Sequence, residues 1–153
     1  MATNWLTPSE MTAWRSFIET TSDLWRAIEA DLAPVGLDRG DYQLLAILSE
    51  APDRQLRMCD LADQLRLTRS GLTRRLDGVL KKKLVSRVQS QEDGRVVFAQ
   101  ITTKGFDLLV KAAPVHLQSV RRLMIDLLTP AEIKAMGSAF GKISDNLSEA
   151  CKN

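Results

Sequence analysis

The chain is poor in the residues that build metal centres and covalent cross-links. Its 153 residues include two cysteines, Cys59 and Cys151, and one histidine, His116. The two cysteines lie far apart and have no metal-ligand neighbours, so we expect no zinc site of cysteine and histidine within one subunit. We expect no other cofactor either, and free thiols in a cytoplasmic protein are the simplest interpretation.

Long apolar runs and glycine-rich loops are also missing. No uncharged apolar stretch approaches the roughly 18 residues that cross a bilayer. The first ten residues carry neither the basic region nor the apolar region of a signal peptide. We find no glycine-rich phosphate loop, metal-ligand cluster or nucleophile with a recognisable base, which argues against an enzyme. The length predicts one domain over residues 1–153. The short apolar runs predict no membrane partner.

What the chain does have is charge of one sign in one place. Residues 54–104 hold 12 Lys/Arg against 5 Asp/Glu, whereas the remainder holds 9 Lys/Arg against 14 Asp/Glu. The formal net charge of +2 therefore conceals a basic block inside an acidic chain. Such a block is typical of a protein that binds a polyanion.

Helical periodicity dominates the rest of the pattern, so the expected fold is mainly α with a small β-hairpin wing. Apolar residues recur every three or four positions in a first helix at about 8–33, and again in a last helical segment at about 103–151. We expect Pro114 to interrupt that last segment. Its final part, from Ile133 to Leu147, has the spacing of a coiled-coil seam.

Between these long helices, about residues 36–102 have the pattern of a winged helix-turn-helix. A short amphipathic helix at 57–65 is followed by a turn at Leu67, and Thr68 then caps a second helix that reaches about Lys82. A helix suits the major groove of DNA when it is apolar behind and rich in donors in front. Leucines fill one face of this helix, and the other face offers long cations, short hydroxyl groups and a glycine that adds no bulk: Thr68, Arg69, Ser70, Gly71, Thr73, Arg74, Arg75 and Lys81.

The hairpin is the expected second contact with DNA. Its strands are predicted at 84–89 and 96–101, with Asp93-Gly94-Arg95 at the tip. We expect Arg95 to enter the minor groove, where a charge-assisted bond to Asp93 would hold its guanidinium in one orientation. Arg87, on the first strand, is the candidate for the phosphates between the grooves. An ordinary polar turn is the alternative interpretation of the tip.

Taken together, these motifs resemble the MarR family of bacterial winged-helix regulators. The resemblance rests on the run from Leu61-Ala62 through Leu67-Thr68-Arg69-Ser70 to Leu84-Val85, then on Asp93-x-Arg95 and on Ile101-Thr102-x-x-Gly105. It implies a homodimer formed by the first and last helices and a palindromic operator in double-stranded DNA. It also implies repression that a small-molecule effector or an oxidant relieves.

One residue departs from the pattern of that family. Lys83 stands where the family mostly has glycine, just after the second helix of the helix-turn-helix. We expect this lysine either to adopt a left-handed conformation or to end the helix in another way.

Several residues have two interpretations. Trp25, Tyr42 and Met58 are candidates for an effector pocket by analogy with the family, and core or dimer packing is the alternative for the tryptophan. Cys59 lies near a helix N-terminus that would favour its thiolate, so a cysteine-based redox sensor is an alternative to an inert thiol. His116 is expected to be a satisfied interface or surface histidine. A winged-helix module that binds protein rather than DNA is the alternative function.

Overall fold

Six α-helices contain most of the residues that the computed structural model describes, which are 3–90 and 93–150. Short 3₁₀ turns at Ala33–Val35, Pro52–Arg54 and Ile125–Leu127 follow three of the helices. The helices are α1 (Pro8–Leu32), α2 (Arg39–Glu50), α3 (Met58–Gln64), α4 (Arg69–Lys81), α5 (Thr103–Leu123) and α6 (Pro130–Ala150).

A small antiparallel sheet completes the mainly helical fold and confirms the expected class. Strands β2 (Val85–Gln89) and β3 (Val97–Ile101) form the predicted hairpin. A third strand, β1 (Gln55–Arg57), pairs with the other edge of β3, so the order is β1-β3-β2. The prediction that Arg57 begins a helix is wrong, since α3 begins one residue later, at Met58. A strand this short carries too little alternation to be detected in a sequence.

Leucines from four helices form the core that supports α4. Leu32 of α1, Leu44 and Leu48 of α2, Leu61 of α3 and Leu76 of α4 have no exposed surface. Burying a side chain of this size stabilises the fold by about 1.5–3 kcal/mol. The direction of α4 is therefore set by how its apolar face packs against its neighbours.

The ends of α1 lie where the sequence predicts. Thr7 and Glu10 form a capping box, in which the Glu10 N–H donates to Thr7 Oγ1 at 3.3 Å and the Thr7 N–H donates to the Glu10 carboxylate at 2.7 Å. These bonds from Thr7 hold the pKa of Glu10 below its usual value. At the other end, the 3₁₀ turn closes on Gly36, whose φ of +87° favours glycine.

Pro114 does not interrupt α5, contrary to the prediction. The helix runs continuously from Thr103 to Leu123 and ends nine residues after the proline. The missing N–H of Pro114 would have bonded to the carbonyl of Val110, one turn earlier. Both side chains are exposed, so we infer that water reaches the freed carbonyl. A proline on the solvent-exposed face of a long helix is therefore tolerated.

The chain divides into two compact units, one up to His116 and one from Leu117 onward. The leucine core belongs to the first unit. The second unit holds the end of α5 together with α6, where the seam residues Phe140, Ile143 and Leu147 are 44%, 53% and 57% exposed. Across the described residues, no helix combines the length and the apolar character needed to cross a membrane.

Candidate nucleic-acid interface

The turn between α3 and α4 is built from a left-handed residue and a helix cap. Arg66 has a φ of +56°, and the N–H of Leu67 donates to the carbonyl of Ala62 at 2.9 Å, which closes α3 in a Schellman motif. Thr68 Oγ1 then accepts the N–H of Gly71 at 3.1 Å, which confirms the predicted cap of α4. A Cβ at Gly71 would lie 3.2 Å from that oxygen, so the cap itself accounts for part of the need for glycine.

Helix α4 buries one face and exposes the other, as predicted. Leu72, Leu76 and Val79 are buried at 2%, 0% and 0% exposure. Within the described residues, neither Arg69 nor Arg74 forms an ion pair, so both guanidinium groups keep their donors for a ligand. The exposed residues of the opposite face are Thr68, Arg69, Ser70, Thr73, Arg74 and Lys81.

The lysine that replaces the expected glycine does adopt a left-handed conformation. Lys83 has a φ of +57°. Its N–H donates to the carbonyl of Leu80, and the N–H of Leu84 donates to the carbonyl of Val79, each at 2.9 Å. Leu84 and Val79, which occupy the two positions that often pack together in a Schellman motif, are both buried. Helix α4 therefore ends as it would with glycine, and Lys83 bears the strain.

The Thr-x-x-Gly motif joins the end of α4 to the start of α5. Thr102 Oγ1 donates to the carbonyl of Lys83 at 2.8 Å and accepts the N–H of Gly105 at 3.0 Å. A Cβ at Gly105 would overlap the backbone carbonyl of Leu84, so only glycine fits without movement of the backbone. Lys104 Nζ also donates to the carbonyl of Lys82 at 2.8 Å. These contacts fix the point at which the chain leaves α4 for the wing.

The structure gives Arg75 a role that differs from the predicted DNA contact. Its Nη1 group donates to both carboxylate oxygens of Asp38, at 2.7 and 2.6 Å, and to Asp41 at 3.2 Å. Burial would raise the pKa of Asp38, but the bonds from the Asp41 N–H and from Arg75 outweigh it and lower that pKa. Lys82 completes the group by donating to Asp41 at 2.9 Å. Arg75 thus ties α4 to α2.

Sequence reasoning missed Asp41, Lys82 and Gly40 as parts of this group. Asp41 is 4% exposed, and its position fits the spacing of the buried Leu44, Leu45 and Leu48 in α2. An acid on the apolar stripe of a helix is a usable signal, because a buried carboxylate needs a partner. The signal indicates that a cation is required but does not say which one supplies it.

The wing tip is a tight turn held by Asp93, although not in the predicted way. The Asp93 carboxylate accepts the backbone N–H of Arg95 at 3.0 Å, and its carbonyl accepts the N–H of Val96 at 2.9 Å. Within the residues that the structure covers, no ion pair joins Asp93 to the guanidinium of Arg95. Asp93 therefore shapes the turn, and the side chains of Arg95 and Arg87 are both exposed.

The proposed effector residues have partners of their own. The guanidinium of Arg39 lies 4.6 Å from the ring centroid of Trp25, which is a cation–π contact. The ring of Tyr42 lies 4.3 Å from that of His116, and Met58 is half-buried. Within the single chain, His116 Nδ1 is buried and has no hydrogen-bond partner among the described residues, so a partner for it at an interface stays a prediction. Burial lowers the pKa of His116.

The redox alternative receives little support from the geometry of Cys59. The residue is exposed and its thiol is free. Its Sγ donates to the carboxylate of Asp60 at 3.4 Å, so its hydrogen-bond partner is an acid and not a base. Cys151 lies outside the described residues.

Comparison with known proteins agrees with this architecture. A model described as MarR family matches residues 35–96. The crystal structure of AbsC, a MarR family transcriptional regulator from Streptomyces coelicolor, has a TM-score of 0.93 and 37% identity, with 96% of this chain and 99% of that chain covered. Sco3205, a MarR family transcriptional regulator from the same organism in complex with DNA, has a TM-score of 0.91 and 34% identity, with 95% and 92% covered.

A curated repressor gives the same result at lower identity. The HTH-type transcriptional repressor YetL from Bacillus subtilis (strain 168) is 26% identical over 132 residues, which are 84% of this chain and 79% of that protein. The helix-turn-helix, the wing and the long flanking helices of this chain are thus shared with characterised regulators. The chain belongs to the MarR family of transcriptional regulators.

Proposed function

We propose that the protein is a dimeric regulator of transcription that binds double-stranded DNA through α4 and the wing. The observation that carries the proposal is the free, exposed pair Arg69 and Arg74 on the outer face of α4. The basic block around them, with 12 Lys/Arg against 5 Asp/Glu over residues 54–104, supplies attraction to phosphate. The DNA in the structure of Sco3205 supports the same partner.

The proposed contacts divide by reach and position. Arg69 and Arg74 read base edges from the major groove, while the hydroxyl groups of Ser70 and Thr73 bond to bases or phosphates. The remaining proposed contacts are Thr68, Gly71 and Lys81 on α4, with Arg87, Asp93 and Arg95 on the wing. In that set Asp93 acts by holding the turn, and Arg95 enters the minor groove.

Two copies are proposed to pair and to bind a palindromic operator. Each unit of the chain leaves large apolar side chains exposed, which argues for a partner surface. In α1 they include Trp14, Phe17 and Ile18, at 54%, 41% and 44% exposure. A two-fold axis would place the two α4 helices in successive major grooves, about 34–36 Å apart. A protein that acts on the chromosome works in the cytoplasm of a bacterium.

We further propose that a small-molecule effector releases a repressor from its operator. The support is the unpartnered Nδ1 of His116 beside Tyr42, because a buried nitrogen without a bond is ready to receive one from a ligand. Trp25 and Met58 are the proposed apolar contacts of that ligand. The dimer is proposed to have two conformations that differ in the distance between its two α4 helices. The ligand changes DNA binding only if its affinity for one conformation exceeds its affinity for the other.

Selection of bound duplexes from a random pool, repeated at two salt concentrations, tests the main proposal. We expect a palindromic site, and an affinity that falls steeply with salt because each phosphate contact releases counterions. Arg74→Ala should weaken binding to that site by about 1–3 kcal/mol, the range of one base contact. Lys111→Ala, at an exposed position of α5, removes the same charge as a control. Equal losses in the two variants would contradict the assignment of Arg74.

A further inference from the structure

We propose that Arg75 is a positioning residue that sets the direction of α4 on DNA through Asp38 and Asp41, without touching DNA itself. The proposal rests on the DNA-binding function proposed above and deepens it. Arg74 and Arg75 are neighbours in sequence, yet only Arg74 is free of carboxylate partners among the described residues. The two arginines therefore have different tasks.

The first argument is geometric. Asp41 is the fixed point of the group, because its side chain is 6% exposed and it accepts from both Arg75 and Lys82. The guanidinium of Arg75 lies against the backbone of Gly40, where a Cβ would overlap it. The glycine in α2 thus provides the space in which an arginine of α4 reaches two carboxylates. A cleft of about 530 Å³ is lined by both carboxylates and both cations of the group, and Arg74 lines it as well.

The second argument is electrostatic. Two carboxylates, Asp38 and Asp41, face two cations, Arg75 and Lys82, so the group has no formal net charge. A neutral group offers a phosphate no attraction, and its acids repel one. The carboxylates therefore have two effects. They hold α4 in place, and they prevent two cations near the recognition surface from binding phosphate without regard to base sequence.

Such an arrangement matters for sequence reading more than for affinity. Contacts to base edges depend on the direction of the helix, whereas attraction to the phosphates depends mainly on charge. Disturbing the Arg75 group should therefore lower the preference for the operator over a scrambled duplex. Binding to the scrambled duplex should not weaken.

Gly40→Ala tests the geometric argument without a change of charge. The added methyl group would push the Arg75 guanidinium aside, while alanine favours helix α2 more than glycine does. We expect the ratio of operator to scrambled affinity to fall about tenfold, which is the size of one lost base contact. We expect the affinity for the scrambled duplex to stay within about twofold and the thermal midpoint not to fall.

Asp41→Asn tests the electrostatic argument, with Asp63→Asn as the control. Both variants remove one negative charge from the DNA-binding module, but Asp63 is exposed and makes no ion pair among the described residues. The variant frees Lys82 from its carboxylate partner, while Arg75 keeps its bonds to Asp38. Freeing Lys82 should strengthen binding to the scrambled duplex and steepen its salt dependence by about 0.9 in the log–log slope for one new phosphate contact. The control should leave that slope unchanged.

Several results would overturn the proposal. One is an unchanged ratio of affinities in both Gly40→Ala and Asp41→Asn, alongside a lower unfolding midpoint, since this is the outcome of a purely structural role. Another is that Arg75→Met weakens both duplexes equally and flattens the salt slope by about 0.9, because Arg75 would then contact phosphate directly. If Asp41→Asn fails to fold, the Gly40→Ala result decides. A wild-type protein that binds no duplex would refute the proposed function itself, and this inference with it.

Discussion

Replacing the left-handed lysine at the end of α4 with glycine should make the protein more stable. A side chain in this conformation costs about 1–2 kcal/mol, because its Cβ approaches a carbonyl oxygen. Lys83 has a φ of +57°, and its exposed side chain forms no ion pair among the described residues, so truncation removes little else. Glycine makes the unfolded chain more flexible, and this larger entropy offsets about 0.5–1 kcal/mol of the relieved strain. The net stabilisation from Lys83→Gly is about 0.5–1 kcal/mol.

Thermal unfolding with a matched alanine variant checks this magnitude. For a chain of this size, 1 kcal/mol corresponds to about 2–4 °C, so Lys83→Gly should raise the midpoint by about 1–4 °C at equal protein concentration. Lys83→Ala removes the same charge and the same contacts but keeps the Cβ, so it should show no comparable gain. Equal midpoints for the glycine and alanine variants would refute the argument, because the strain would then not come from the Cβ.

Four further outcomes follow from the local structure. Gly105→Ala should destabilise the protein by about 2 kcal/mol or more, since its Cβ would overlap a backbone carbonyl. Gly78→Ala should stabilise it slightly, because a Cβ at Gly78 would meet no neighbouring side chain or loop within 4 Å. A Gly78→Ala variant less stable than the Gly105→Ala variant would contradict the packing. Thr68→Ala removes the helix cap and should lower the free energy of unfolding, measured in urea, by about 1 kcal/mol. An unchanged free energy would show that the cap does not stabilise the protein. The lowered pKa of His116 predicts stability that is present above about pH 6.5 and lost as the pH falls; a His116→Phe variant that keeps the same pH dependence between pH 5 and 7 would contradict this.

The long helices and the hairpin were predictable from sequence because their signals are local. Spacing of three and four residues marks α1, and the threonine caps at Thr68 and Thr102 mark the starts of α4 and α5. Strand β1 was not predictable, because its three residues form a strand only where β3 offers an edge to pair with. The prediction at Pro114 was wrong for a related reason, since a proline breaks or bends a helix according to what surrounds the carbonyl it leaves unpaired.

In the candidate site too, local signals predicted some features, and others depend on residues distant in sequence. The outer face of α4 was predicted because exposure follows from helical period, and Arg69 and Arg74 are exposed as expected. Helical period places Arg74 opposite the buried stripe and Arg75 at its border, but it does not show which groups Arg75 meets there. Only the position of Asp38 and Asp41 on another helix decides which arginine is neutralised. Counting the positive charges of a sequence therefore overestimates the charge available to DNA, and the correction depends on acids that lie outside the basic block.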